Sequence, residues 1–255
     1  MAYEIILQAY GWEEGWRLLT SFAGNVKAHA RAAGEVPKMV SLGEAAMGPA
    51  IDFYAWAQIA RDGREKIGYV LPAGLTVINP DAIGILKGAP AHDLAVRFIE
   101  FVLSAEGQRL WLLPAGSEGG PAKANLARIP VRTGLLAEHG DTALVTMDPA
   151  KFKAGFTYDA SKAAARRTVL KELIGALLVD SGPELRPAWR AIVVAGQPEA
   201  ALKEFYRMPV GEDELAELGR EKWSDAIFRN ERKTAWATFA REKYAKAMKL
   251  ATRAK

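Results

Sequence analysis

An acid and a phenol two residues apart, Asp52 and Tyr54, stand where a small-residue run, Ala46-Met47-Gly48-Pro49-Ala50-Ile51, gives way to a helix-like segment. Acids are rarely buried without a partner, so a carboxylate delivered by an apolar strand calls for a ligand or a counter-charge. In open α/β sheets, side chains at the carboxyl ends of strands face a crevice in which ligands lie. A plainer role exists for each residue. Aspartate is a favoured helix N-cap, and Tyr54 can simply pack on the helix that Asp52 opens.

Other chemistry-bearing residues offer less. Trp12 and Trp16 can cover a ligand, but their helical spacing fits a packed face better, and Trp56 points away from Tyr54 on a regular helix. The three histidines, His29, His92 and His139, form no metal-ligating pair by spacing. The loop Gly116-Ser117-Glu118-Gly119-Gly120 lacks the lysine of a phosphate-binding P-loop, and no strand leads into it. No Gly-x-Ser-x-Gly elbow or nucleophile–base set is recognised, so no catalytic residue, cofactor or enzymatic activity is expected. With no cysteine, the chain has no disulfide, zinc thiolate or thiol nucleophile, which also suits an exported protein.

Composition narrows the class further. The chain has 255 residues, half of them hydrophobic and a quarter charged, with a formal net charge of +4. No apolar run approaches the roughly 20 residues that span a bilayer. A basic stripe near the end, Arg229, Arg232, Lys233, Arg241, Lys243, Lys246 and Lys249, has acids interleaved and Trp236, Phe239, Tyr244 and Met248 on an apolar face. It reads as a solvated amphipathic helix, so nucleic-acid binding is an alternative and not the expectation.

These residues have to be held by the elements around them. Residues 4–24 read as helical with a break near Gly11, and 37–42 as a short helix. Residues 46–51 and 66–70 read as strands flanking a helix over 53–61. Residues 76–78 and 82–87 are further strand candidates, separated by an Asn79-Pro80-Asp81 turn. Residues 91–112 carry an amphipathic helical pattern broken at Ser104 to Gly107, and from 161 onward the chain is nearly all helical. Strand and helix signals alternating through the first half predict an α/β fold.

The segments in order carry a resemblance. They are Ile6 to Trp16, the Gly43 to Ala57 junction, Lys66-Ile67-Gly68-Tyr69-Val70-Leu71-Pro72, Ile85-Leu86-Lys87-Gly88-Ala89-Pro90, and Phe98 to Gln108. This series resembles the family 1 extracellular solute-binding proteins of bacterial ABC importers, the group that includes ferric-ion-binding proteins. The resemblance implies an α/β fold of the type II periplasmic-binding-protein kind, partly two-lobed, with a helical C-terminal extension. It implies a second-lobe segment over 1–70, a return to the first lobe over 71–125, and a mostly helical extension over 126–255. It also implies a chain shortened at its N-terminus, because Met1 to Leu7 has neither the basic start nor the apolar core of a signal peptide.

Function follows from the same resemblance: capture of a small ligand between two lobes and delivery to an ABC permease in the inner membrane, in the periplasm. Asp52, Tyr54 and Thr76 are then ligand-binding residues, with Pro72 and Gly74 as hinge flanks. In ferric relatives the junction carries two adjacent tyrosines, and here the second position is Ala55, which demotes iron. Iron, a phosphonate, a polyamine and a sugar-like solute all stay open. For an organic ligand Tyr54 would stack or hydrogen-bond, and Asp52 would pair with an amine or hydroxyl. The alternative is an interaction or regulatory module without transport, associating with itself or with partners through exposed interlobe surface.

Overall fold

The computed structural model describes residues 2–78, 81–149, 152 and 155–253, and none of them lies in a β-strand. The chain divides into two compact units, Met1–His29 with Phe156–Lys255, and Ala30–Gly155. The boundaries expected at 70 and 125 both fall inside the second of these.

The first unit is built from two short N-terminal helices and the helical end of the chain. Helices α1 (Ala2–Tyr10) and α2 (Trp12–Gly24) are separated at Gly11, whose φ of 79° suits a residue without a Cβ. On α2, Trp12, Trp16, Leu19 and Ala23 recur at helical spacing and all are buried. Helix α8 (Ala160–Ile174) starts at an Asp159 cap, whose carboxylate accepts from the amides of Ser161 and Lys162 at 2.9 Å each. It runs into a π-helical turn, Gly175–Val179, followed by α9 (Gly182–Val194), α10 (Glu199–Tyr206), α11 (Glu212–Glu221) and the 28-residue α12 (Ala226–Arg253).

α12 is the element on which this unit is assembled. Ala240, Ala247 and Ala251 on its inner face are fully buried, and small residues there let α9 and α10 approach closely. Leu173, Leu177, Leu185, Ile192, Phe205 and Tyr244 fill the space between. The wider π turn leaves carbonyls without their ordinary helical partners, and side chains satisfy them. Tyr244 donates to the Leu177 carbonyl at 3.0 Å and Ser181 to the Ala176 carbonyl at 2.7 Å.

A buried ion cluster ties the two ends of the chain together inside this unit. Arg166 on α8 is fully buried, donates through Nη2 to Glu4 at 2.8 Å and also bonds Glu212, which Lys162 reaches at 2.8 Å. Gln8 exchanges hydrogen bonds with the backbone of Asp159, at 2.7 and 3.0 Å. The expected C-terminal extension is therefore one core with the N-terminal helices.

The second unit holds α3 (Glu35–Ser41), α4 (Asp52–Asp62), α5 (His92–Leu103), α6 (Ala105–Leu112) and the single turn α7 (Leu135–Glu138). Ser104 separates α5 from α6, accepting from the Gly107 amide at 3.0 Å as the α6 cap. The core here is smaller: Trp56, Ile59, Ile67, Leu112, Ala127, Leu135, Ala143 and Val145. Long irregular stretches connect the helices.

Those stretches correct the expected α/β fold. Residues 46–51, 66–70, 76–78 and 82–87, all read as strands, form no ladder, and Asn79 and Pro80 of the expected turn lie outside the described residues. Strand propensity reports the fit of side chains to a pleated, half-buried surface, and an extended segment becomes a strand only when neighbours take its N–H and C=O groups. Here Met47, Ile51, Val70, Ile78, Ile83 and Leu86 are exposed, so no sheet face is buried. The type II two-lobed architecture is not present among the described residues.

Candidate functional site

Tyr54 lies on the first turn of α4, 40% exposed, with its ring against Gly34. A Cβ at Gly34 would come within 3.3 Å of the Tyr54 ring, so the glycine gives the phenol its seat. Asp52 is the first residue of α4, not its cap. The cap position is Ile51, which makes no side-chain cap bond, so Asp52 acts on the helix through its charge at the positive N-terminus. That charge also reaches Tyr69, whose phenol is pushed up first by burial and then by Asp52. Tyr69 in turn meets Trp56 edge-on at 5.5 Å.

Phe53 connects Tyr54 to a group that sequence reasoning missed. The Phe53 ring lies 4.4 Å from that of Tyr54, and the Arg128 guanidinium sits 3.8 Å above Phe53 and 5.8 Å from Trp111. Arg128 donates to Asp81 at 2.9 Å, and its backbone amide donates to the Trp111 carbonyl at 2.9 Å. The residue before it, Ala127, is fully buried at a φ of 51°, a conformation costly for any side chain bearing a Cβ. Arg128 had no motif to announce it. Its one signal is a left-handed alanine, which only coordinates reveal.

The far end of α4 is anchored separately. Asp62 accepts from Ser41 on α3 and from Gln58 at 2.5 Å, and these bonds, led by that from Ser41, hold its carboxyl below the usual range. They fix α3 against α4 and so set the position of Tyr54. Thr76 donates to the Pro72 carbonyl at 3.1 Å and Gly74 has a φ of 76°, so Pro72, Gly74 and Thr76 make one turn. Ala55, at the position of the second ferric tyrosine, is buried in the core.

The arrangement at α4 is a row of neighbouring groups, Tyr54 tilted against Phe53 and Arg128 over Phe53 near Trp111, with one exposed carboxylate on the guanidinium. A surface ion pair of this kind is worth about 0–1 kcal/mol, so Asp81 holds the guanidinium only weakly. Grooves of about 520 Å³ along α9 and about 260 Å³ beside the π turn belong to the other unit. The basic stripe on α12 is partly neutralised: Lys233 pairs with Glu172 at 2.8 Å, Lys246 with Glu204 at 2.9 Å, and Lys243 is buried.

These features describe a helical chain with one unit built on an extensive core and one with a smaller core that leaves much apolar surface open. The model for the family described as bacterial extracellular solute-binding protein matches residues 6–154, more than half of the chain. The chain belongs to that family. It is similar to the phosphoglycerate transport regulatory protein PgtC of Salmonella typhimurium and to that of Salmonella typhi. Each is 27% identical over 194 residues, covering 74% of this chain and 43% of the relative. The chain thus spans less than half the length of these curated relatives. No solved structure matches it significantly.

Family membership and the narrower expectation therefore part. The resemblance to ferric-type family 1 members implied two α/β lobes around a cleft, and no sheet exists among the described residues to wall one. Capture of a ligand between lobes and handover to an ABC permease is corrected on that ground, as are those two partners and self-association through an interlobe surface. The extracellular placement in the family's description agrees with a site of action outside the cytoplasm.

Proposed function

We propose that this chain is a protein-binding regulatory module of a solute-transport system, acting in the periplasm, and not a carrier that encloses solute. One observation carries the reading. The apolar face of α5 is bare: Leu94, Phe98 and Phe101 are 61%, 57% and 42% exposed, and none of the helix's residues is buried. An amphipathic helix docks such a face into the groove of another protein through anchors at i, i+4 and i+7. The regulatory names of the similar proteins support the same class. On this reading the transported solute resembles phosphoglycerate, no bond chemistry is involved, and Asp52 and Tyr54 serve the surface at the start of α4.

The test is complementation in the source bacterium. Deleting the gene should disturb the control of phosphoglycerate uptake, measured as accumulation of labelled substrate. The wild-type chain should restore it, and Phe98→Asp, folded to the same level, should not. A deletion without effect on uptake removes the regulatory role, and equal rescue by Phe98→Asp removes α5 from it.

A further inference from the structure

α9 is apolar on two opposite faces. Leu185, Ala188 and Ile192 turn inward and are fully buried, while Pro183, Pro187 and Val194 lie across the helix from them and are exposed. One apolar face is enough to join a core, and a second one is suited to burial against something else. Val193, also exposed, widens the outer strip. Pro183, Pro187, Ala191 and Val194 line a groove of about 520 Å³ together with Arg186 and Arg190.

The two arginines give this groove its sign. They stand one helical turn apart, and neither has an ion pair among the described residues. Glu184 is the single acid on α9, and it does not line the groove. It sits about 160° around the helix from Arg186. Ser181 at the N-cap gives its hydroxyl to the Ala176 carbonyl and makes no side-chain cap bond, so the positive end of the helix adds to the same field. A Cβ at Gly182 would come within 2.8 Å of Arg186 Nη1, so that glycine leaves the guanidinium room beside the first turn.

We propose that the outer face of α9 docks an acidic amphipathic helix of a partner protein, with two carboxylates one turn apart on Arg186 and Arg190 and apolar side chains on the proline–valine strip. Length selects the occupant. From Pro183 to Val194 the strip runs about 16 Å, whereas side chains one turn apart stand roughly 6 Å from each other. A compact anion engages the two guanidiniums and leaves Val194 uncovered. A helix with acids at i and i+4 meets both arginines, since guanidinium and carboxylate pair through a bidentate fork, and its apolar face continues along the strip. Proline and alanine lose no side-chain entropy on burial, so most of the floor is already in its docked form. This surface lies in the first unit and does not depend on the role proposed for α5.

The test is selection of a displayed library of random peptides, roughly 16 residues long and so able to form four turns, on the immobilised full chain. Enriched peptides should carry two acids at i and i+4 beside apolar residues, and the best of them, synthesised with a fluorescent label, is titrated by anisotropy. Arg186→Gln combined with Arg190→Gln should weaken its binding at least about tenfold, and so should Val194→Asp. Phe98→Asp on α5 should leave the affinity unchanged, which separates this surface from that one. Glutamine in place of the two acids of the peptide reads the same contact on the wild-type chain, and it serves equally if the double variant does not fold. No enrichment, enriched peptides without the acid pair, equal binding to the double variant, or loss of binding in Phe98→Asp would each overturn the proposal. Displacement by inorganic phosphate at an ionic strength where sodium chloride displaces nothing would overturn it too, in favour of a small-anion site.

Discussion

α12 and α5 are both amphipathic helices in one chain, yet α12 buries Trp236, Ala240, Lys243, Tyr244, Ala247 and Ala251, and α5 buries nothing. The difference lies in their neighbours. α12 has small residues on its inner face, and α9, α10 and the π turn close on it, whereas α5 meets chiefly α6 through its own C-terminal end. Amphipathicity makes a face available, and a neighbouring element has to bury it. The same contrast holds between the units: one places large side chains such as Trp16, Phe205 and Tyr244 wholly inside, and the other leaves Met47, Val70 and Leu86 in water.

The contrast is broken most severely at Arg166. Arg166→Ala leaves the Glu4 carboxylate buried without its cation, a change that costs about 3–5 kcal/mol. Denaturant unfolding should show the loss in the tryptophans of the first unit, Trp12, Trp16, Trp189, Trp223 and Trp236. Amides of the second-unit core, those of Ile59, Leu112 and Val145, followed by hydrogen exchange in the same variant, should keep their protection. A parallel shift of both sets would mean that the units do not unfold separately. Acid should act in the same place more gently. The Glu212 carboxyl is held below the usual range against the cost of burial, by Lys162 and Arg166, so the unfolded chain binds more protons there. Stability is lost as pH falls from about 4.3 toward the lower folded value.

Leucines sharpen the comparison at the next scale. Leu177→Ala in the first core removes a fully buried side chain and should cost about 2–5 kcal/mol. Leu94→Ala on α5 should stay within about 0.5 kcal/mol, since little contact is lost. Equal losses at the two positions, read by the same denaturation curves, would show that α5 is covered in solution.

How far the sequence revealed all this depends on the range of the signal. Trp12, Trp16 and Leu19 share a face of one helix, so their burial was readable from spacing alone. The long helical end was legible for the same reason. Residues 66–70 and 82–87 were misread because a strand is completed by residues far away in sequence, and periodicity within the segment holds no information about them. At the candidate site, Tyr54 and Asp52 were legible as chemistry at a helix start. Arg128 was not, since its place over Phe53 depends on the left-handed turn at buried Ala127 and on a contact spanning 75 residues of chain. Lys243 was counted among surface cations for its charge, although it stands seven residues from Trp236 and four from Phe239, within the apolar face of the helix.

A subtler contrast separates charge from stacking at Arg128. Arg128→Ala should lower the stability of the second unit by about 0.5–1 kcal/mol, the usual size of an exposed cation–π contact. Arg128→Lys keeps the positive charge and the reach to Asp81 but gives up the flat guanidinium lying on Phe53. If stacking positions the group, the lysine variant should lose nearly as much as the alanine variant in the unfolding curve followed through Trp56 and Trp111. If the Asp81 pair positions it, the lysine variant should match the wild type at low salt and fall toward the alanine variant as salt is raised. The 3.8 Å separation from Phe53 and the exposure of Asp81 favour stacking, because a close ring contact survives screening that an exposed ion pair does not.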